Sequence, residues 1–165
     1  MIVIAWNKEM NVTICRATAD DVGALSKLFN AYRVFFGQDG DLSLAEEFLR
    51  RRLNNSESII FFAYTSDKHC VGFAQLYPSF SSVSAERIWI LNDLFVLESL
   101  RGMGIGKKLL CEIEAFCEET QAGGIVVETT TSNTGARRLY ESNGYQKVPD
   151  RVFYERKNQP KNELD

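Results

Sequence analysis

Apolar and polar positions along the 165-residue chain follow two periods. Where apolar residues alternate, or run together with β-branched and aromatic neighbours, strands are expected at residues 12–16, 58–64, 70–77, 87–96, 125–129 and 152–155. Where they recur every three or four positions, helices are expected. Thr18 and Asp21 have capping-box spacing, and Leu25, Leu28, Phe29, Tyr32 and Phe36 follow as one apolar stripe. Ser43 and Glu46 suggest a second box, before a helix lined by Leu44, Phe48 and Leu53. Gly102, Gly104 and Gly106 open a third helix running to about Thr120, with Ile105, Leu109, Ile113 and Phe116 on its buried face. Residues 134–143 form a short fourth helix stopped by Gly144. Residues 66–69 read as a hairpin turn, and 78–84 as a hydroxyl-rich loop. Strand, two helices, three strands, helix, strand, helix, strand is the order of a mixed α/β domain with helices on both faces of a sheet. It occupies residues 12–157, between a short N-terminal extension (1–11) and a polar tail (158–165).

Composition narrows the function. Apolar residues make up 45% of the chain and charged residues 25%, an ordinary globular balance. Nineteen Lys and Arg against 22 Asp and Glu give a net charge of -3, with no basic stripe, so a nucleic-acid partner is not expected. The apolar start, residues 1–6, is too short for a signal peptide or a membrane span, so no membrane partner is expected either. One His and four Cys without C-x-x-C spacing leave no expected metal site; the thiols read as reduced and mostly buried, in a cytoplasmic protein.

The densest chemical signal is Asp93-Leu-Phe-Val96 followed by Arg101-Gly-Met-Gly-Ile-Gly-Lys107. Glycines between a strand and a helix let backbone N–H groups converge on an anion at a helix N-terminus, and Arg101 adds charge for a phosphate. A Walker loop requires Gly-x-x-x-x-Gly-Lys-Ser/Thr; here Arg101 stands at the first glycine and Lys108 follows Lys107. The run is also G-x-G-x-G, past mid-chain, rather than a dinucleotide fingerprint after a first strand. On the residues alone it is either a phosphate cradle or a plain turn.

Arg101-x-x-Gly104-x-Gly106 after a strand, with Asn133-Thr-Gly-Ala136 and Leu139-Tyr-Glu-Ser-Asn-Gly-Tyr145 downstream, resembles the signature of the GNAT N-acetyltransferases. The likeness extends over most of the chain. It implies a GNAT fold, a mixed and mostly antiparallel sheet of six to seven strands, splayed between the fourth and fifth, and acetyl-CoA as cosubstrate. It implies that the backbone of Phe95, Val96 and Leu97 aligns the pantetheine arm, with the pyrophosphate held by Arg101 and the amides of Gly102, Met103, Gly104, Ile105, Gly106 and Lys107. It further implies cofactor contacts from Asn133, Ala136 and Tyr140, direct attack by the amine, protonation of the thiolate by Tyr140, and a homodimer. On the residues alone, Tyr140 is as well explained by ring packing.

A proton acceptor is also needed, because an alkylamine with a pKa near ~10.4 arrives protonated. The diamine acetyltransferase branch carries a Glu-Asp pair where this chain has Asn92-Asp93, a further partial resemblance. Asn92 can orient a water or the amine, and Glu86 or Tyr77 can accept a proton through water. Asp93 either meets substrate or holds the strand. The resemblance implies an acceptor pocket that includes Tyr32, Phe36, Asp39, Tyr77 and Asp93, whose aromatic and acidic groups suit a small cationic amine: a polyamine, an amino sugar or an amino-acid-like molecule. A protein or peptide acetyltransferase, and a non-catalytic acetyl-CoA-binding module, are the competing readings.

Overall fold

The computed structural model describes residues 11–158. The N-terminal extension and the polar tail therefore lie almost wholly outside the described residues. The elements are β1 (Thr13–Arg16), a 3-10 turn (Ala19–Asp21), α1 (Val22–Phe35), α2 (Leu42–Asn54), β2 (Ile59–Tyr64), β3 (Cys70–Ser81), β4 (Glu86–Val96), α3 (Ile105–Glu119), β5 (Ile125–Val127) and α4 (Thr134–Ser142).

Among the described residues the sheet has five strands in the order β1-β2-β3-β4-β5, correcting the expected six to seven. The first four are antiparallel and β5 joins β4 in parallel. Residues 152–155 do not form the last strand. Val152, Phe153 and Tyr154 are 74%, 72% and 87% exposed, so no burial rewards pairing. Pro149 lacks an N–H, and Asp150, at a φ of 60°, turns the chain just upstream.

Two corrections concern boundaries. Helix α2 is capped by Asp41, whose carboxylate accepts from the Leu44 N–H at 2.9 Å, rather than by the Ser43–Glu46 box. Asn30 Oδ1 in turn accepts from the Asp41 N–H at 2.8 Å, tying the loop to α1. Strand β3 continues through Pro78–Ser81, where a loop was expected, because those residues pair with Trp89, Ile88, Arg87 and Glu86. The Thr18–Asp21 box does form: the Asp21 carboxylate accepts from both the Thr18 N–H and its hydroxyl at 2.8 Å.

One core layer lies between α1, α2 and the sheet, built on Leu25, Phe29, Leu49, Ile60, Phe62, Phe73 and Phe95. The other packs α3 and α4 on the opposite face through Leu76, Trp89, Leu91, Ile105, Leu109, Ile113, Phe116 and Tyr140. Between them, β4 changes parity. Gln75 pairs with Asp93 but Leu76 pairs with Leu91, so Asn92 is an extra residue, a β-bulge. Upstream, Trp89 and Leu91 face α3; downstream, Phe95 faces α1 while Leu94 and Val96 take over the α3 side. Without the bulge, every side chain after it would sit on the wrong face.

Phe73 is fully buried, with the rings of Phe29, Tyr32 and Phe95 at 5.8, 5.5 and 6.3 Å. Phe73→Ala is expected to cost about 3–5 kcal/mol in urea unfolding, with an unchanged m-value. A loss under about 1 kcal/mol would show that this ring cluster does not anchor α1 to the sheet.

Candidate active site

The bulge coincides with the end of the β4–β5 pairing. The parallel ladder runs Trp89↔Ile125, Ile90↔Val126 and Leu91↔Val127, then stops, while β4 continues to Val96. Leu97 N–H donates to Val71 O at 3.0 Å, on the β3 side. Strand alternation therefore turns the Val96 N–H and C=O to the opposite, open edge. The Val96 carbonyl accepts from Arg101 Nε at 3.1 Å there. The Val96 N–H, with no strand beside it past the end of the ladder, suits an extended amide-bearing arm.

Past the strand, Gly102 and Gly104 both adopt a φ of 78°, which β-carbon sterics disfavour in other residues. Gly104 is the N-cap of α3, so the first N–H groups of that helix are not used by a side-chain cap. A Cβ at Gly102 would meet nothing within 4 Å, leaving room over the loop. Gly106 serves packing: a Cβ there would lie 3.0 Å from Leu139 Cδ2 on α4. The residues 101–107 thus fit a pyrophosphate cradle, and the open β4 edge fits a pantetheine arm. The Arg101 guanidinium rests over the rings of Phe35 and Phe95, at 4.6 and 5.6 Å, at the mouth of the gap.

Asn133 is the N-cap of α4, its Oδ1 accepting from the Ala136 N–H at 3.1 Å. That bond fixes the start of the helix carrying Tyr140, which is 9% exposed and packs against Tyr145 at 5.6 Å between centroids. Burial pushes the Tyr140 phenol up to about 12.

On the α1 side, the Tyr32 hydroxyl donates to Asp93 Oδ1 at 2.5 Å, and Asn92 Nδ2 donates to both carboxylate oxygens at 3.1 Å. A regular strand would send the side chains of Asn92 and Asp93 to opposite faces; the bulge lets them meet. Asp93 is 6% exposed. Burial raises its pKa above the ordinary carboxylate range, while the bonds from Tyr32 and Asn92 pull the other way. Burial, then the bond to Asp93, raises Tyr32, and the Tyr77 and Tyr140 phenols add to the shift. Burial likewise pushes Tyr77 up to about 12. The Tyr32 and Tyr77 phenols, from α1 and β3, thus both act near Asp93, while Tyr140 packs with α3 and α4 on the other face.

Of the residues expected to meet substrate, Tyr32, Tyr77 and Asp93 come together here. Phe36 is 60% exposed at the end of α1, its ring 4.9 Å from Tyr32, and Asp39 is exposed in the following loop. Glu86 stands apart, six residues before Asn92, with its carboxylate against Gly123. Arg52 pairs with Glu57 at 2.6 Å. His69 pairs with Asp67 at 2.8 Å in the β2–β3 turn. Gln75, directly across from Asp93, carries no signal in the sequence because it sits in an apolar strand with no motif around it. Among the described residues no group of three or more His, Cys, Asp or Glu is placed to hold a metal, and no helix is long and apolar enough to cross a membrane.

Residues 24–145 match the Acetyltransferase (GNAT) family, and the chain belongs to that family. It is 43% identical to the uncharacterized N-acetyltransferase YhfO of Bacillus subtilis strain 168, over 87% of this chain and 95% of that protein. A solved structure of a probable acetyltransferase superposes with a TM-score of 0.83 at 35% identity, over 90% of this chain and 99% of its own. An aminoglycoside N(6')-acetyltransferase type 1 of Stenotrophomonas maltophilia is 24% identical, over 86% of this chain and 90% of its length. The chain is therefore an acetyl-CoA-dependent acetyltransferase. None of these relatives points to the diamine acetyltransferase branch.

Gly104→Val is expected to weaken acetyl-CoA binding at least tenfold in calorimetry, because a branched residue resists the φ of 78° that aims the loop. Unchanged affinity would mean that the loop does not hold the cofactor.

Proposed function

We propose that the chain moves the acetyl group of acetyl-CoA by direct attack onto the primary amine of a small molecule, a polyamine, an amino sugar or an amino-acid-like amine. Residues 12–157 act as one acetyltransferase domain. The observation that carries this reading is the buried Asp93 carboxylate: Tyr32, Asn92 and burial itself are the influences on its acidity, with no Lys, Arg or His among them. A buried charge without a counter-charge is costly, and a cationic acceptor supplies one. The exposed Phe36 ring, packed on the Tyr32 ring whose hydroxyl holds Asp93, suits an apolar stem beside an ammonium. The aminoglycoside named for the Stenotrophomonas relative is such an amine.

Acetyl-CoA, bound along the open edge of β4, supplies an activated acetyl thioester. Asp93 takes a proton from the acceptor ammonium, converting R–NH3+ to R–NH2 and its own carboxylate to the acid; its raised pKa favours that transfer. The nitrogen lone pair is then free to attack the carbonyl carbon. The Val96 N–H donates to the carbonyl oxygen as negative charge builds there. The Tyr140 O–H donates to the sulfur. A phenol near 12 keeps its proton against a thiol of ~8.5, so Tyr140 acts chiefly as a hydrogen-bond donor to the developing thiolate. The second proton released by the nitrogen goes to water. Asn92 holds the Asp93 carboxylate and leaves the chemistry to it.

A thiol-release assay over spermidine, sisomicin and single amino acids, beside a peptide with a free N-terminus, tests the acceptor class. Release with small amines is expected; release with the peptide alone would contradict the reading.

Tyr140→Phe keeps the ring, so acetyl-CoA affinity is expected to hold while single-turnover transfer falls by ~10²-fold, the low end for positioned proton donors. Equal rates where chemistry limits would remove Tyr140 from the reaction.

The log of kcat/KM is expected to fall as pH drops through the raised pKa of Asp93, because the protonated acid no longer accepts. The acidic limb should lie above ~4, the ordinary carboxylate value; a limb at or below that would exclude Asp93 as the base.

A homodimer accompanies this reading, supported by the exposed apolar residues Val152, Phe153 and Tyr154. Sedimentation at micromolar concentration should give about twice the chain mass; a clean monomer would remove the dimer.

A further inference from the structure

Gln75 is fully buried, yet neither its Oε1 nor its Nε2 has a hydrogen-bond partner. Leaving a buried amide unpaired is costly, so such a residue in the middle of a sheet calls for a reason. Its neighbours are specific. In the β-ladder it stands opposite Asp93 on one side and Ile60 on the other. Residues directly opposed in an antiparallel pair point to the same face, with Cβ atoms about 5 Å apart. Gln75 therefore shares the α1 face with Asp93. The amide also lies beside the Tyr77 phenol, where it works against the upward shift of that group.

The partners of Asp93 are one-sided. Tyr32 and the Asn92 amide nitrogen both donate to the carboxylate, which suits its charged form. When Asp93, only 6% exposed, takes a proton, one oxygen becomes a donor and needs an acceptor. The unbonded Gln75 side chain supplies what the protonated state requires: its Oε1 accepts from a carboxylic acid.

We propose that Gln75 is a positioning residue for Asp93, a buried amide, unbonded beside the carboxylate, that turns to partner the carboxylic acid once Asp93 has taken up a proton. The inference rests on the reading of Asp93 as the proton acceptor. Gln75, sealed from solvent, acts only through Asp93 and never touches the amine. The proton balance is closed: the ammonium loses one proton, Asp93 gains it, and Asp93 returns it to water after transfer. Other titratable or charged groups around the pair are Tyr32 from α1, Tyr77 from β3, Tyr140 from α4, and Arg52 and Glu57, which act on Tyr77 from the end of α2 and the loop after it.

The test follows the Asp93 carboxyl by 13C NMR in protein labelled at aspartate and saturated with acetyl-CoA, with its resonance assigned from Asp93→Asn. No acceptor is required. In Gln75→Glu a second carboxylate faces Asp93, so the last proton of the pair should leave at least about one pH unit higher than in the wild type. In Gln75→Met, which keeps the length and removes both polar atoms, the Asp93 midpoint should fall by about half a unit or more, since the acid form loses its acceptor. The acetyl-CoA thermal shift confirms that each variant folds, and either variant alone decides the matter. An Asp93 midpoint unchanged in a folded variant would overturn the inference. Asp93→Asn measured for acetyl transfer to sisomicin and spermidine separates the layers. Full activity there overturns the underlying reading of Asp93, and the inference with it. A large loss there, with the midpoint unmoved in the Gln75 variants, overturns the inference alone.

Discussion

The extra residue at Asn92 governs the rest of this molecule. It switches the faces of β4, so that Phe95 and Asp93 meet α1 while Trp89 and Leu91 remain under α3. It also comes where the β4–β5 ladder ends, leaving residues up to Val96 unpaired on one edge. One insertion thus produces a buried carboxylate on one side of the sheet and an exposed run of backbone along its edge. The first suits a cationic acceptor and the second an extended donor, and they adjoin. A regular strand in the same place would seal the gap and bury the wrong side chains.

The buried polar groups near the bulge have a cost that the aromatic packing offsets. Tyr32 contacts Phe29, Phe36, Phe73 and Phe95, so its ring is fixed while its hydroxyl is held on Asp93. Arg101 covers the outer edge of the same cluster. The site is therefore rigid on the acceptor side, through rings and hydrogen bonds. On the cofactor side, a short loop turns through two left-handed glycines.

Much of this was readable in the sequence. The helical stripes of α1 and α3 and the capping box at Thr18 follow from residue spacing, and the glycine loop with Arg101 carried the family resemblance. What spacing misses is context. Ser43–Glu46 matches a capping box, yet Asp41 has better access to the free N–H groups because Asn30 anchors it. Within residues 152–155, Val152, Phe153 and Tyr154 are β-branched or aromatic like a strand, but they stay largely exposed. Asn92-Asp93 stood out as a polar interruption; its meaning as a bulge depends on the register with β3, which one strand's sequence does not carry. Gln75 was invisible for the same reason: its interest comes entirely from the residue opposite.

The most direct test of the account is amide hydrogen exchange at Val96, with and without acetyl-CoA. The open-edge geometry predicts that protection of the Val96 N–H rises at least tenfold on binding, while Leu97, already bonded to the Val71 carbonyl at 3.0 Å, changes little. Saturating acetyl-CoA that leaves Val96 exchange unchanged would contradict the placement of the cofactor along β4, and with it the role assigned to the bulge.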